Sequence, residues 1–252
     1  MQQSLDHQPD FTPRDWERAW TTALSRLNES QREMLAATSL LPTPAEFANV
    51  AGEGPAQWKA EGGNPTLQAV WALALRELHP AELPTLTLDE EQAWNEPRVI
   101  AANVVLTGPV RWRAPLVFLG SVQSTRPLYD CGPDSSVTIV GRVTAPGLVT
   151  SGDMQLLGDV DIPLIEGQGN DNMLIVLGDV SARVIHEADH ACCWAGSVVA
   201  QSHASLGDLP KEQRRKLEEA ILPEFLAESR PRLAPAMEAL ASGQDVFRVR
   251  PE

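Results

Sequence analysis

Cysteine, basic charge and long apolar runs are all in short supply. The 252-residue chain has three cysteines, two of them adjacent at Cys192 and Cys193. That count gives no disulfide framework and fits a reducing compartment. No apolar run approaches the about 20 residues that cross a bilayer. Met1 to Asp10 carry no basic n-region or apolar h-region, so no signal peptide is expected. Twenty lysines and arginines face 34 acids, a formal net charge of −14. Phosphate backbones are held by lysine and arginine, so nucleic-acid binding is excluded, whereas solubility or a basic protein partner suits this balance. The expectation is a cytoplasmic protein with no membrane, nucleic acid or cofactor bound. Its hydrophobic content of 43% and its length allow a real core in one or two domains.

What is present is a phrase repeated six times between Val104 and Val199. It reads Leu106-Thr-Gly108-Pro-Val110, Phe118-Leu-Gly120-Ser-Val122 and Ile139-Val-Gly141-Arg-Val143. It returns as Leu156-Leu-Gly158-Asp-Val160, Val176-Leu-Gly178-Asp-Val180 and Trp194-Ala-Gly196-Ser-Val198. Successive glycines are 12, 21, 17, 20 and 18 residues apart. Periods near twenty residues mark stacked coils that bury their apolar faces only against each other. Aligned on glycine, the positions four before, two before and two after are apolar in every copy. Alternate residues of a strand point the same way, so these columns share one inward face. The glycine column lies on that face too, at a bend or bulge. An antiparallel sandwich also spaces strands evenly, but it needs no common glycine register. The fold class expected is mainly β with helical additions: a parallel β-solenoid flanked by α-helices at its N- and C-terminal ends.

Three regions follow: 1–97 helical, 98–207 solenoid and 208–252 a helical cap. In the first, Thr12, Pro13 and Asp15 open a helix whose Trp16, Trp20, Ala23, Leu24 and Leu27 share a face. Ser30 with Glu33 opens a second helix through Leu41. Pro42 to Gly63, rich in proline, glycine and alanine, reads as loop. Asn64-Pro65 opens a further helix with Leu67, Val70, Trp71, Ala74, Leu75 and Leu78 in one stripe. The tryptophans read as core. In the last region Asp208 caps a helix through Leu217, Ile221 and Leu222, Ala236 to Leu240 forms a short helix ended by Gly243, and Val246 to Arg250 forms a closing strand. Helices docked on the ends of the solenoid would cover its terminal coils.

Leu174 to Val180, Gly169-Asn-Asp-Asn172 and Asp189-His190, about eleven residues past a coil glycine, resemble bacterial polymer-forming, bactofilin-like β-solenoid proteins. The resemblance covers Ile100 to the C-terminus. It implies a cytosolic solenoid of a group that includes proteins encoded beside polymorphic toxin genes, and hence a toxin as partner. The helical additions depart from bactofilins, whose solenoids are bare and stack end to end.

Three constellations could carry chemistry. His186-Glu187-Ala188-Asp189-His190 is a literal H-E-x-x-H, which on a helix binds zinc with the glutamate as general base. The repeat argues against a helix. Val184 and Ile185 follow Gly178 as Leu164 and Ile165 follow Gly158, so the five residues should fill a corner between strands. His186 and His190 with Cys192 and Cys193 have ligand types for a metal. Cys192, however, falls on an inward column, where cysteine packs as a small hydrophobe. No metal is expected. The third is acidic. One position after the glycine stand Pro109, Ser121, Arg142, Asp159, Asp179 and Ser197, all facing outward. From Asp153 to His190 eight acids meet one base, Arg183. Stacked coils lie about 4.8 Å apart, so like charges in a column oppose folding unless water, a cation or a partner's lysine relieves them. Asp153, Asp159, Asp161, Asp171, Asp179 and Asp189 are the candidate partner-binding residues. The leading expectation is a non-enzymatic immunity protein that blocks a toxin's basic cleft. The alternatives are a self-assembling scaffold and a zinc hydrolase using His186 and His190.

Overall fold

The structure, a computed structural model, describes residues 11–38, 41–51, 64–89, 91–130, 132, 135–169, 172–188, 190–205, 211–227, 230–231 and 233–248. Among the described residues four helices come first: α1 (Pro13–Arg26), α2 (Glu29–Thr38), α3 (Pro44–Val50) and α4 (Pro65–Leu78). Thr12 and Asp15 cap α1 reciprocally, and Asn64 caps α4, as their sequences dictate. The second helix is capped two residues earlier than expected. Asn28 and Gln31 exchange side chain-to-amide bonds of 2.9 and 3.0 Å, while the Ser30 hydroxyl donates to the Ala195 carbonyl 2.8 Å away. Residues 42–63 are not all loop. Thr43-Pro44-Ala45-Glu46 forms a capping box that starts α3, a signal that the proline and glycine content obscured; residues 52–63 lie outside the described residues.

Three parallel strands per turn then wind a stack of coils. The first turn is β1 (Thr85–Leu88), β2 (Gln92–Trp94) and β3 (Arg98–Ile100). The second is β4 (Asn103–Leu106), β5 (Val110–Trp112) and β6 (Pro115–Phe118), and the third β7 (Val122–Ser124), β8 (Leu128–Asp130) and β9 (Ser136–Ile139). The fourth is β10 (Val143–Thr144), β11 (Leu148–Thr150) and β12 (Asp153–Leu156), the fifth β13 (Val160–Asp161), β14 (Leu164–Gln168) and β15 (Met173–Val176). The sixth is β16 (Val180–Ser181), β17 (Val184–Ala188) and β18 (Ala191–Trp194); β19 (Val198–Val199) and β20 (Ser202–Ser205) start a seventh. The first, second and third strands of each turn build sheets A, B and C. The protein is a parallel β-solenoid of about six turns, and it begins at Thr85 rather than at 98.

The inward columns are those of the repeat. Leu116, Val137, Met154 and Leu174 stack in sheet C, as do Phe118, Ile139, Leu156 and Val176; Val122, Val143, Val160 and Val180 stack in sheet A. All are buried in one interior cluster, with Cys192, Trp194 and Val198 packed against it in the last turns. The glycines turn the chain from sheet C to sheet A. Their reason is close approach: a Cβ on Gly158 would lie 2.7 Å from the carbonyl carbon of Gly141 in the coil beneath. One expected copy is displaced. Gly108 lies between β4 and β5, at the corner from sheet A to sheet B. The register instead begins with Ile100-Ala101-Ala102-Asn103-Val104, eighteen residues before Gly120, because Val104 pairs with Val122. Beneath that first corner lies the link from α4 into β1, where Pro84 and Leu83 accept bonds from Asn103 at 2.8 and 3.3 Å, and not another corner of the repeat.

The helices lie on the sides of the solenoid and not on its ends. Val99, Val117, Leu119, Leu157, Ile175 and Leu177, facing outward from sheet C or its corner, are buried in one cluster with Trp16, Trp20, Phe47 and Trp71. Trp16 and Trp71 stack at 5.9 Å, and the Trp71 indole N–H donates to the Ala51 carbonyl at 2.7 Å. The C-terminal elements are α5 (Lys211–Ala220), a 3-10 turn (Pro223–Phe225), a two-stranded hairpin of β21 (Leu226–Ala227) with β22 (Arg230–Pro231), and α6 (Leu233–Ala241). They cover sheet B, where Val149, Leu164, Val184 and Ala204 cluster with Leu217, Ile221, Phe225 and Met237. Gly147 leaves room for Met237 and Leu240 to reach the solenoid backbone. Gly243, at φ +80°, ends α6 in the left-handed conformation. The expected closing strand is a single bridge between Phe247 and Ile221. Asp208, the expected cap of α5, lies outside the described residues.

Candidate functional site

Among the described residues, sheet A is the face that no helix covers. Its outward column reads Thr87, Val105, Gln123, Thr144, Asp161, Ser181 and Val199. Beside it, at the corner, run Asn103, Ser121, Arg142, Asp159, Asp179 and Ser197. Gln123, Arg142, Asp159, Asp161, Asp179, Ser181 and Ser197 are exposed, and Val199 keeps 66% of its surface.

The corner carboxylates are ordered by the backbone above them. The Asp159 Oδ1 accepts the Asp179 amide at 3.1 Å, and the Asp179 Oδ1 accepts the Ser197 amide at 2.8 Å. Asn103 does the same for Ser121 at 3.0 Å. These bonds tie one oxygen of each side chain to the backbone of the next coil. Both aspartates are exposed. Arg142, next to Asp159 in the column, reaches Asp161 at 3.5 Å; both are exposed, so the pair contributes little. Arg183 stays off this face: its guanidinium lies 4.5 Å from the Phe247 ring centroid and donates to the Arg248 carbonyl. The result is a row of exposed carboxylates along sheet A, able to accept from ammonium or guanidinium donors.

Asp159, Asp161 and Asp179 are thus brought together. Asp153 is not: it sits half-buried at the corner from sheet B to sheet C, where its Oδ1 accepts the Met173 amide at 3.1 Å and burial raises its pKa. Asp171 and Asp189 lie outside the described residues.

The H-E-x-x-H motif forms no helix. Its first three residues continue β17, so the expected corner is shorter than five residues. Alternation along the strand puts His186 outside and Glu187 inside. The His186 Nδ1 is 2.7 Å from Glu166 Oε2, a pair sunk into the outer face of sheet B with Glu166 4% exposed. Glu187 turns into the open end of the solenoid, where its Oε1 accepts the Trp194 indole N–H at 3.2 Å and bonds His203 Nε2 at 2.7 Å. His190, 1% exposed, fills the space over Gly167, where a Cβ would lie 2.9 Å from its own; burial lowers its pKa. Among the described residues no three His, Cys, Asp or Glu side chains are grouped to hold a metal. Burial also raises the Cys192 and Cys193 thiols, away from thiolate character.

A polar cluster inside the solenoid escaped sequence reasoning. Asp130, 2% exposed, uses Oδ2 to accept the Thr150 hydroxyl at 2.8 Å and the Gly152 amide at 2.9 Å, while its Oδ1 has no partner. Burial pushes its carboxyl up to about 6. The signal was available: Asp130 follows inward Leu128 by two residues, so it too faces inward. Among the described residues no helix is long and apolar enough to cross a membrane. Compared with known proteins, the chain matches no family model, no curated protein and no solved structure.

Proposed function

We propose that the protein is a non-enzymatic binding module that holds a basic protein partner against sheet A. One observation carries this reading. Among the described residues, helices cover sheets B and C and none covers the sheet that displays Asp159, Asp161 and Asp179. The partner proposed is a toxin domain with a basic cleft, neutralised by occupation of that cleft; this identity rests on the resemblance of the repeats to solenoids encoded beside toxin genes. Long-range attraction of this kind acts mainly on the association rate and is screened by salt.

The experiment identifies a partner by capture with the wild-type protein, then measures association with variants. Changing Asp159, Asp161 and Asp179 together to asparagine keeps the oxygens that accept backbone amides and removes three charges. The association rate should fall about 10-fold or more, with a flatter salt dependence. Changing the exposed Glu17, Glu29 and Glu33 to glutamine should leave it within about two-fold. The opposite pattern would move the binding site to the helices.

A second reading, self-assembly by coil stacking, has its own observation. β18, β19 and β20 are the terminal strands of their sheets, and Cys192, Trp194 and Val198 at that end are only half-buried. Sedimentation as a monomer at all concentrations would dismiss it.

A further inference from the structure

The strongly acidic chain also contains a small cleft whose charged walls are both arginine. It measures about 310 Å3 and lies where the corner from sheet A to sheet B meets the end of α6, lined by Pro109, Arg111, Arg126, Pro127, Tyr129 and Ala241. Register explains the grouping. Val110 pairs with Leu128, which sets Pro109 beside Pro127, and Arg111 pairs with Tyr129 on the outer face of sheet B. Arg111 is therefore flanked along its row by Ala93 and Tyr129, neither of them charged. Arg126 stands one turn on, immediately before its proline. Both arginines are exposed, and among the described residues no acidic side chain pairs with either.

The chemistry of the walls is selective. The two prolines fix their backbone and offer no N–H, so positive charge comes only from the guanidiniums. Their planar forks suit the oxygens of a phosphate bidentately. The carbonyls at the end of α6 would repel an anion, but Ala239 and Leu240 already accept the amides of Gln244 and Gly243 at 2.9 and 3.1 Å. The volume is at the small end for ligand sites, roughly 300–1,000 Å3, and admits a single ring. The Tyr129 ring and the prolines supply apolar contact for it.

We propose that this cleft binds a small aromatic phosphomonoester, its phosphate held between Arg111 and Arg126 and its ring against Tyr129 and Pro127. The site is on a different face from the acidic row and does not depend on it.

The test titrates the intact protein with phenyl phosphate, inorganic phosphate and phenol, followed by calorimetry and by amide shifts around Tyr129. Phenyl phosphate should bind saturably and several-fold tighter than inorganic phosphate, and phenol should not bind. Arg111→Ala and Arg126→Ala should each weaken binding about 10-fold, and the double change should remove it. Both residues are exposed, so melting should not move. The Asp159, Asp161 and Asp179 triple change should leave binding intact. Absence of saturable binding up to about 10 mM, an affinity worth under 3 kcal/mol, overturns the proposal, as does binding that survives the double change.

Discussion

Sheets A and C are built from the same repeated phrase, yet sheet C is sealed under helices and, among the described residues, none covers sheet A. The glycine corner separates them. Just before it stand Leu119, Val140, Leu157, Leu177 and Ala195, all in the cluster with the helices. Just after it stand Ser121, Arg142, Asp159, Asp179 and Ser197, on the open side. Both sheets bury equivalent inward columns, so the interior does not decide which face is covered. The outward residues do. A row of leucine and valine exposed on a flat sheet would be an invitation to association, and α1 to α4 remove it from water. The Gln31 side-chain amide donating to the Leu177 carbonyl at 2.9 Å extends that cover to the late turns.

The sharpest way to break the comparison is within one sheet. Val160→Asp places an unpaired charge in the interior at a cost of several kcal/mol, on the order of the whole margin of stability, and should leave the chain unfolded by circular dichroism. Ser181→Asp, one strand away on the outward column, should change stability by less than about 0.5 kcal/mol. Retention of the wild-type melting temperature by Val160→Asp would show that the inward columns are misassigned.

The next effect separates the covered face from the bare one. Leu177→Ala removes a fully buried side chain from the seam between sheet C and the helices, and should cost about 2–4 kcal/mol. Hydrogen exchange should rise across α1 to α4 while the inward strands of early turns stay protected. Equal loosening everywhere would mean that helices and solenoid unfold as one unit.

The smallest effect concerns the polar interior. A carboxyl raised to about 6 when folded, against 3.8 when unfolded, favours the fold below pH 3.8 and loses that contribution as pH rises through 6. Asp130→Asn mimics the protonated acid and keeps an acceptor for Thr150 and Gly152. It should be more stable than wild type by about 1–3 kcal/mol at pH 7.5 and equal to it near pH 4. Parallel melting curves for the two proteins across that range would place the charge outside the interior.

Much of the solenoid was legible because its constraint is local and repeated. Every turn needs the same alternation and the same Cβ-free corner, so the period survives in the sequence despite coil lengths of 17 to 21. The displaced first copy shows the limit. Ala102 stands where glycine is expected, and beneath it runs the link from α4 into β1, with Leu83 and Pro84 bonded to Asn103, instead of another glycine corner. The three aspartates of the open face were legible by the same counting. Their bonds to the next coil's amides were not, because a side chain's choice between solvent and backbone depends on how far one coil slides over another.

The sequence by itself determined the handover from strand to corner, the inward columns and the sign of the charge, since each follows from residue chemistry at fixed spacing. It also held, unread, the outward leucines that call for a cover. Only the tertiary structure decided that the helices lie along sheets B and C rather than on the ends, that His186 and Glu187 point to opposite sides, and that Arg111 meets Arg126 in a cleft. Those outcomes depend on contacts between residues far apart in the chain, and the free energy that selects among them comes from apolar area buried across those contacts, a quantity that no local pattern fixes.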